Sequence, residues 1–461
     1  MSASTATQTG TIAARIDRLP LTWVQYSLAL ITQACYGMII GTDAVVARLY
    51  PFVWEPAGVI TAGQFSILLA ANTGLGILIG EYLLGFFSDR FGRKPTLILS
   101  AILTGIFLWP IALTTNFSLL LLFNILYAIG MGGVLSANST YMHEISPPRE
   151  RGKVSQRTQT LAAFLLGAVG TVPAIFWVPD HYQWYVFLLA ALPVVTLIPL
   201  VAFWLPESPR WLEAKGRLSE ADAVVSKWEE RIRQRGFELP QPESERHTVI
   251  TSEKVPVKEI FTGKYGRRTV ILLICWIFGY AGIVYGTAGF VPSYLAARGF
   301  DPQTTFIVQF IGSVFGGALG MFVSSLFGER IERRALVMGA GILFALMTLA
   351  LYVVPGTIGV SVLVILSNAP VILWLFNMYN YTANAYPTRL RSVGTGWTDG
   401  IGHLGSIAGP LIAGYFFATT ASAGHIGWLL WIALPGALLP GLLLGFAGIR
   451  QRNAILEEIS T

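Results

Sequence analysis

Apolar residues run along this chain in blocks of about twenty, separated by short polar interruptions. A bilayer core of ~30 Å is spanned by about 20 apolar residues in helical form, so each block predicts one crossing. The predicted spans are 22–47, 63–87, 95–114, 117–142, 154–178, 182–204, 268–296, 303–327, 335–353, 358–384, 392–419 and 425–448. One long polar segment, Leu205 to Arg268, divides them six and six. Within it Ala221, Val224, Val225 and Trp228 recur at helical spacing beside Glu229, Glu230, Arg231, Arg233 and Arg235. That pattern predicts short amphipathic helices lying on the membrane face. The expected organisation is a polar tail (1–20), a six-helix bundle (21–204), a linker (205–267), a second six-helix bundle (268–448) and a second tail (449–461).

Composition supports hydrocarbon as the solvent. Hydrophobic residues are 54% of the 461 positions and charged residues only 12%, against about 25% charged in a soluble protein. The net charge of +6 would suit a nucleic-acid partner, but the basic residues are scattered over short loops and form no patch. Of the 31 Lys and Arg residues, only Arg48 and Arg298 fall on the side opposite the linker. The positive-inside rule then places both termini and the linker in the cytoplasm, and an odd number of crossings would destroy the skew. No Lys or Arg lies deep in a predicted span. Cys35 and Cys275 fall in apolar runs and are expected as buried free thiols. Residues 1–20 lack a short apolar region with a cleavage site, so no signal peptide is expected. No metal cluster, nucleophile–base spacing or Gly-x-x-x-x-Gly-Lys-Ser/Thr loop occurs. An enzyme is therefore not expected, a self-contained ATP-driven pump is excluded, and no cofactor or metal is called for. A monomer surrounded by membrane lipid is expected.

The chain also repeats itself. Phe87-Ser88-Asp89-Arg90-Phe91-Gly92-Arg93-Lys94 corresponds to Phe327-Gly328-Glu329-Arg330-Ile331-Glu332-Arg333-Arg334, 240 residues later. Tyr141, Pro147, Arg149 and Arg151 recur as Tyr381, Pro387, Arg389 and Arg391 at the same displacement. Two matches in one register imply a parallel six-plus-six repeat, with a solute site between the halves near the midplane and alternating access to it. Asp89 and Glu329 stand at helix ends beside clustered Arg and Lys. A carboxylate there can bond the amides of a neighbouring helix and pair with an Arg of its own loop, which suits gating.

These residues carry a family resemblance. Gly85-Phe86-Phe87-Ser88-Asp89-Arg90-Phe91-Gly92-Arg93-Lys94 resembles the loop 2–3 signature of the major facilitator superfamily. Glu144 with Pro147, Arg151 and Gly152, then Pro206-Glu207-Ser208-Pro209-Arg210-Trp211-Leu212, then Pro387-Thr388-Arg389-Leu390-Arg391 resemble its sugar-porter and organic-ion branches. The resemblance implies an all-α membrane fold of twelve helices in two bundles. It also implies a gating set of Gly85, Asp89, Arg90, Gly92, Arg93, Glu144, Arg151, Glu207 and Arg210, with Glu329, Arg330, Arg333, Arg389 and Arg391 in the second half. Gly41-Thr42-Asp43 is similar to the first-helix Gly-Tyr-Asp of proton-coupled sugar porters, whose Asp takes the proton. Asn124 stands where those porters carry an Arg. Gln159 matches a sugar-contacting Gln of the fifth helix, whereas Gly279 and Tyr280 replace its partner in the seventh. The tenth helix, Trp374 to Pro387, looks more like the branch of organic-ion carriers, niacin-type carriers and synaptic-vesicle proteins. There the position twelve residues after the loop 10–11 Arg often bears a charge complementary to the substrate, and here it is His403.

Asp43, Glu81, Asp399 and His403 are the titratable side chains within the spans and away from loop edges. Each is a candidate proton carrier, because burying a charge at that depth is costly; the alternative for each is a structural pairing or a wetted vestibule carboxylate. Asp399 and His403 are four residues apart and share a helix face, an arrangement suited to a relay. Asn72, Thr73, Gly74 and Gly76 near Glu81 point to a close helix contact. Aromatic groups at Tyr36, Trp276, Tyr280, Tyr285, Trp374 and Tyr379 are candidate solute contacts, and the glycines of Trp276 to Gly282 let that helix bend, with Pro292 helping to break it. The absence of deep Lys or Arg favours a neutral or cationic solute, within a range that includes sugars, aromatic acids and amines. The expected function is proton-coupled symport of a small organic solute. A facilitative uniporter, a proton-coupled exporter and a solute-sensing receptor are the alternatives.

Overall fold

The structure, a computed structural model, describes residues 12–20, 22–147, 151–239, 257–327, 330–386, 390–419 and 427–451. Every regular element among these residues is helical. In chain order they are α1 (Ile12–Asp17), α2 (Trp23–Trp54), α3 (Ala62–Phe91), α4 (Arg93–Ala112), α5 (Phe117–Ile145), α6 (Arg151–Trp177) and α7 (Tyr182–Trp204). Next come α8 (Pro209–Ala214) and α9 (Leu218–Arg233) in the linker. The second half holds α10 (Tyr265–Ala297), α11 (Pro302–Ser324), α12 (Arg333–Val353), α13 (Thr357–Asn384), α14 (Arg391–Thr419) and α15 (Gly427–Ala447). Ten of these are long and apolar enough to cross a membrane among the described residues. Helices are what such a solvent demands, because a backbone in hydrocarbon must satisfy its own polar groups. The surface agrees: Phe203, Ile358 and Phe446 are 81%, 81% and 90% exposed, which is tolerable only against lipid.

Small residues bring the helices together. α5 packs tightly on α3 and α4, and Gly132 leaves no room for a Cβ against the α3 backbone. In the second half Gly436 of α15 meets Gly282 of α10 in the same way.

The apolar core divides unevenly. One cluster fills the first half and the linker helices, then continues through Phe290, Tyr294, Phe306, Leu351 and Val360 of the second half. The other joins the second half to Ile260 and Tyr265 at its entry. The halves are therefore cemented at one end, opposite residues 89–94 and the linker. At this far end Tyr50 stacks on Phe65 at 4.1 Å, Phe65 meets Phe290 edge-on at 5.2 Å, and Phe52 meets Phe306 at 5.6 Å. α14 packs along residues 62–76 of α3, while the remainder of α3, from Ile77 to Phe91, turns to α5. The two helices thus diverge toward the linker end, and the crevice between the halves opens there.

Three spans are irregular near the crevice. α2 loosens into a turn at residues 41–44, α3 widens to a π-helical turn at Ala70–Gly76, and α10 does so at Tyr280–Val284 before leaving helical form. Widened turns re-aim side chains and recur at functional sites. Pro292 stands in the first turn of the segment that resumes at Val291. It starts that helix rather than breaking one, the position where a missing N–H costs least.

The first span runs past its expected end at residue 47. Arg48, expected in an outer loop, is 5% exposed within α2, and its Nη2 donates to Thr171 Oγ1 at 2.9 Å. The expectation of Arg48 in an outer loop is corrected here: it belongs to α2 and one of its nitrogens is held by a hydroxyl of α6. Residues 1–11 and 452–461 of the tails lie outside the described residues, as do Glu329 and Arg389.

Candidate functional site

Where α3 and α14 diverge, side chains from both halves converge. Glu81 of α3 and His403 of α14 face one another, with Oε2 and Nε2 3.9 Å apart. That separation is too long for a hydrogen bond and becomes an ion pair when His403 is protonated and Glu81 ionised. His403 is 2% exposed, and its Nδ1 lies 3.2 Å from Ser406 Oγ, one turn further on. Asp399, one turn before His403, accepts a hydrogen bond on Oδ1 from Tyr280 at 2.5 Å, and the Tyr379 hydroxyl stands 3.5 Å from the same oxygen. The two hydroxyls are 2.9 Å apart. Tyr280 has one proton and gives it to Asp399, so Tyr379 is the donor between them.

The four-residue spacing does put Asp399 and His403 on one face, but their close contacts lie elsewhere. Tyrosines of α10 and α13 hold Asp399, and His403 turns to Glu81 in the opposite half. A relay confined to α14 is therefore replaced by a contact that bridges the halves.

Aromatic rings wall this cluster. Tyr280 and Tyr285 lie 4.8 and 6.0 Å from the His403 ring, and Trp276 lies 5.0 Å from Tyr280 and 4.7 Å from Tyr379. The Trp276 indole donates to Thr382 Oγ1 at 3.0 Å, which fixes its ring. Trp374 is wholly buried behind it, 5.8 Å away and pressed on Gly279, so it supports the wall without forming its surface. Tyr36 of α2 and Tyr285 of α10 are both within electrostatic reach of Glu81, Asp399 and Asp43. Asp43 sits half-buried in the loosened turn of α2, and its Oδ1 is buried without a hydrogen-bond partner among the described residues.

Two candidates stand apart. Asn124 donates to the Leu68 carbonyl at 2.6 Å and accepts from Asn72 at 3.2 Å, with Asn72 also bonded to Tyr127. It fastens α5 to α3 inside the first half. Gln159 is half-buried on α6 and, among the described residues, makes no hydrogen bond to the cluster. Thr73 and Ser406, neither of them a site candidate on sequence grounds, also join the halves. Thr73 Oγ1 lies 3.3 Å from the Ser406 carbonyl, a second bridge between halves, and Gly74 meets the Ile407 backbone at 3.0 Å from a would-be Cβ. The only signal for Ser406 was a hydroxyl three residues after His403.

At the linker end a second network ties the gating residues together. Arg93 holds Glu144 by two bonds, of 3.1 and 2.8 Å, and Asp89 by one of 3.0 Å. The carboxylate on the first amides of α4 is Glu207, 3.0 Å from the Arg93 nitrogen and 3.3 Å from that of Lys94. The amide-bonding role expected of Asp89 therefore belongs to Glu207, because the linker folds back onto the helix start. Gly92 has φ +115°, and any Cβ there would strike the Glu207 carboxylate. Arg210 donates to the Glu144 carbonyl at 2.9 Å and pairs with Asp17. Arg90 is exposed over the Phe91 ring, and Gly85 has only ordinary contact with Ser136.

α1 extends this network into what was expected to be a plain tail. Arg15, 5% exposed, bonds Glu229 at 3.1 and 3.0 Å and Ser226 at 2.9 Å, while Arg18 bonds Glu229 at 2.6 Å. Burial raises the Glu229 carboxyl, but the bonds from Arg15 and Arg18 outweigh it and the net shift is downward. In the second half, Arg330 is exposed, Arg334 bonds the Gly445 carbonyl at 3.2 Å, and Glu332 accepts from the Gln451 amide at 2.8 Å. Arg333 opens α12 half-buried. Arg151 and Arg391 open α6 and α14, their side chains outside the described set.

Helices from both parts of the chain meet at a central, ring-lined charge cluster, an arrangement that suits a membrane transporter. The chain belongs to the Major Facilitator Superfamily, whose family model matches residues 22–410. It is similar to the inner membrane metabolite transport protein YdjE of Escherichia coli, at 26% identity over 97% of this chain and 98% of that one. It is 27% identical to the 4-hydroxybenzoate transporter PcaK of Acinetobacter baylyi, over 88% of both. The inward-open xylose transporter XylE from E. coli shares the fold with TM-score 0.69, 17% identity, and coverage of 94% of this chain and 99% of that one. The protein is thus a multi-pass transporter of the cell's inner membrane.

Proposed function

We propose that this chain imports a small aromatic carboxylate together with protons, through twelve crossings in two bundles (21–204 and 268–448) with both termini in the cytoplasm. On this reading the linker end faces the cytoplasm and the structure is an inward-facing state. The observation that carries the proposal is the Glu81–His403 contact at 3.9 Å, made across the halves at the point where they part and surrounded by aromatic rings. Likeness to a 4-hydroxybenzoate transporter supports the substrate class.

The chemistry joins the two cargoes. An organic anion cannot enter a low-dielectric pocket beside Glu81 and Asp399 while both are ionised, because like charges there repel by several kcal/mol. Protons on the acids remove that repulsion, and a protonated His403 then offers the substrate carboxylate a cation. Tyr280, Tyr379 and Tyr285 supply ring faces and hydroxyls for a phenolic acid. Release into the opened crevice lets water reach the acids, and the protons leave with the solute. Asp43, within electrostatic reach of Tyr36 and Tyr285, serves on this reading as a further proton acceptor when the far end opens. Neutral and cationic solutes, favoured by charge alone, lack this reason for proton dependence.

The test is uptake of radiolabelled 4-hydroxybenzoate into proteoliposomes with and without an imposed pH gradient. Accumulation that follows the gradient supports symport. Equilibration indifferent to pH makes the protein a uniporter, and uptake of xylose but not of the aromatic acid overturns the substrate class.

A further inference from the structure

The linker helix α9 has two unlike charged faces. Glu229 is taken by Arg15 and Arg18, and Arg233 lies 3.8 Å from it. Arg231 and Arg235, four residues apart and exposed, have no carboxylate within ion-pair distance among the described residues. With Gln234 they border a cleft of about 270 Å³, whose opposite wall is Trp23, Val24 and Ser27 at the start of α2.

That opposite wall is the first turn of a membrane span. Trp23 is 59% exposed, and an indole at such a level sits where headgroups meet hydrocarbon. Two guanidinium groups present the forked donors that suit a phosphate, while the Gln234 carboxamide between them is held by Glu230 Oε1 at 3.0 Å. We propose that this cleft binds the headgroup of an anionic phospholipid from the leaflet at the linker end, with its acyl chains running along α2. A soluble phosphate would gain the two arginines but nothing from Trp23 and Val24; a lipid gains both. The bound lipid pins α9, and through Glu229 also α1, to the end of the first span. The inference depends on membrane placement and not on the identity of the cargo.

The experiment is native mass spectrometry of the full-length chain in detergent, titrated with phosphatidylglycerol or phosphatidylcholine. The wild type is expected to retain one phosphatidylglycerol tightly. At about fivefold per basic residue, the Arg231→Gln/Arg235→Gln double variant weakens that lipid roughly 25-fold and leaves phosphatidylcholine unchanged. A Lys215→Gln/Arg217→Gln control removes equal charge from the turn before α9 and keeps the lipid bound. The proposal is overturned if the cleft variant holds phosphatidylglycerol like the wild type, or if the control loses it equally. Displacement of the lipid by millimolar inorganic phosphate overturns it as well, since that marks a soluble-anion site.

Discussion

Neutralising Glu81 perturbs the site where its two halves touch. The carboxylate lies 3.9 Å from His403 Nε2. Unit charges at that separation attract by about 4 kcal/mol at an effective dielectric of 20. Glu81 keeps 22% of its side chain exposed, so water screens part of this attraction, and desolvation of both groups offsets more. A net coupling of about 1–2 kcal/mol is expected. Since about 1.4 kcal/mol is a factor of ten, Glu81→Gln should lower pH-driven accumulation of 4-hydroxybenzoate roughly tenfold. Exchange of labelled for unlabelled solute at equal pH on both sides should persist within about threefold, because the aromatic wall is untouched. Glu81→Asp keeps the charge but retracts it by about one carbon–carbon bond, so it should fall between the two. Proteoliposome uptake and counterflow, measured on the same preparations, separate coupling from binding. A Glu81→Gln protein that still concentrates solute in proportion to the gradient refutes the argument. So does strict additivity with His403→Gln in a double-mutant cycle, because independent groups show no coupling energy.

Further outcomes follow from the geometry. Gly92→Ala places a Cβ at φ +115° against Glu207 and should cost about 1–3 kcal/mol, read as a lowered melting temperature that Glu207→Ala partly restores. Arg93→Ala leaves Glu144, 18% exposed, without its guanidinium and should destabilise by about 3 kcal/mol; Arg93→Lys should recover less than half, since an ammonium cannot make the paired bonds. Gly74→Val intrudes on Ile407 and should open the far end, seen as faster labelling of a cysteine placed at Phe65; unchanged labelling would contradict the packing. The Glu229 carboxyl is held below its usual range, so its contribution is complete above the unfolded value of about 4.3 and is lost as pH falls through the folded value. Hydrogen exchange in α1 should therefore quicken below about pH 4, and equal acceleration between pH 7 and pH 5 would count against the clip.

Glu229 also shows how far a linear reading reaches. Its place on an amphipathic linker helix was legible, because the spacing of Ala221, Val225 and Trp228 is a property of α9 alone. Its partner Arg15 was not, since nothing along the chain ties a residue of the tail to one more than two hundred positions later. Arg48 was misplaced for a related reason. A charged residue following an apolar run reads as the end of a span, and the Thr171 hydroxyl that holds Arg48 belongs to another helix.

The number and length of the apolar blocks, the skew of basic residues and the 240-residue echo point to a two-part membrane protein, and the loop motifs point to its family. These are sums and periodicities over neighbouring residues, and solvent alone selects for them. The same reading proposed the cast of the central site, because an ionisable group in hydrocarbon is conspicuous wherever it falls. Pairing was another matter. That His403 meets Glu81 while tyrosines hold Asp399, and that Glu207 takes the amides expected of Asp89, depends on the rotation and offset of one helix against another. Those quantities come from the packing of many small residues at once, and helical spacing tells which side chains share a face without telling what that face will meet.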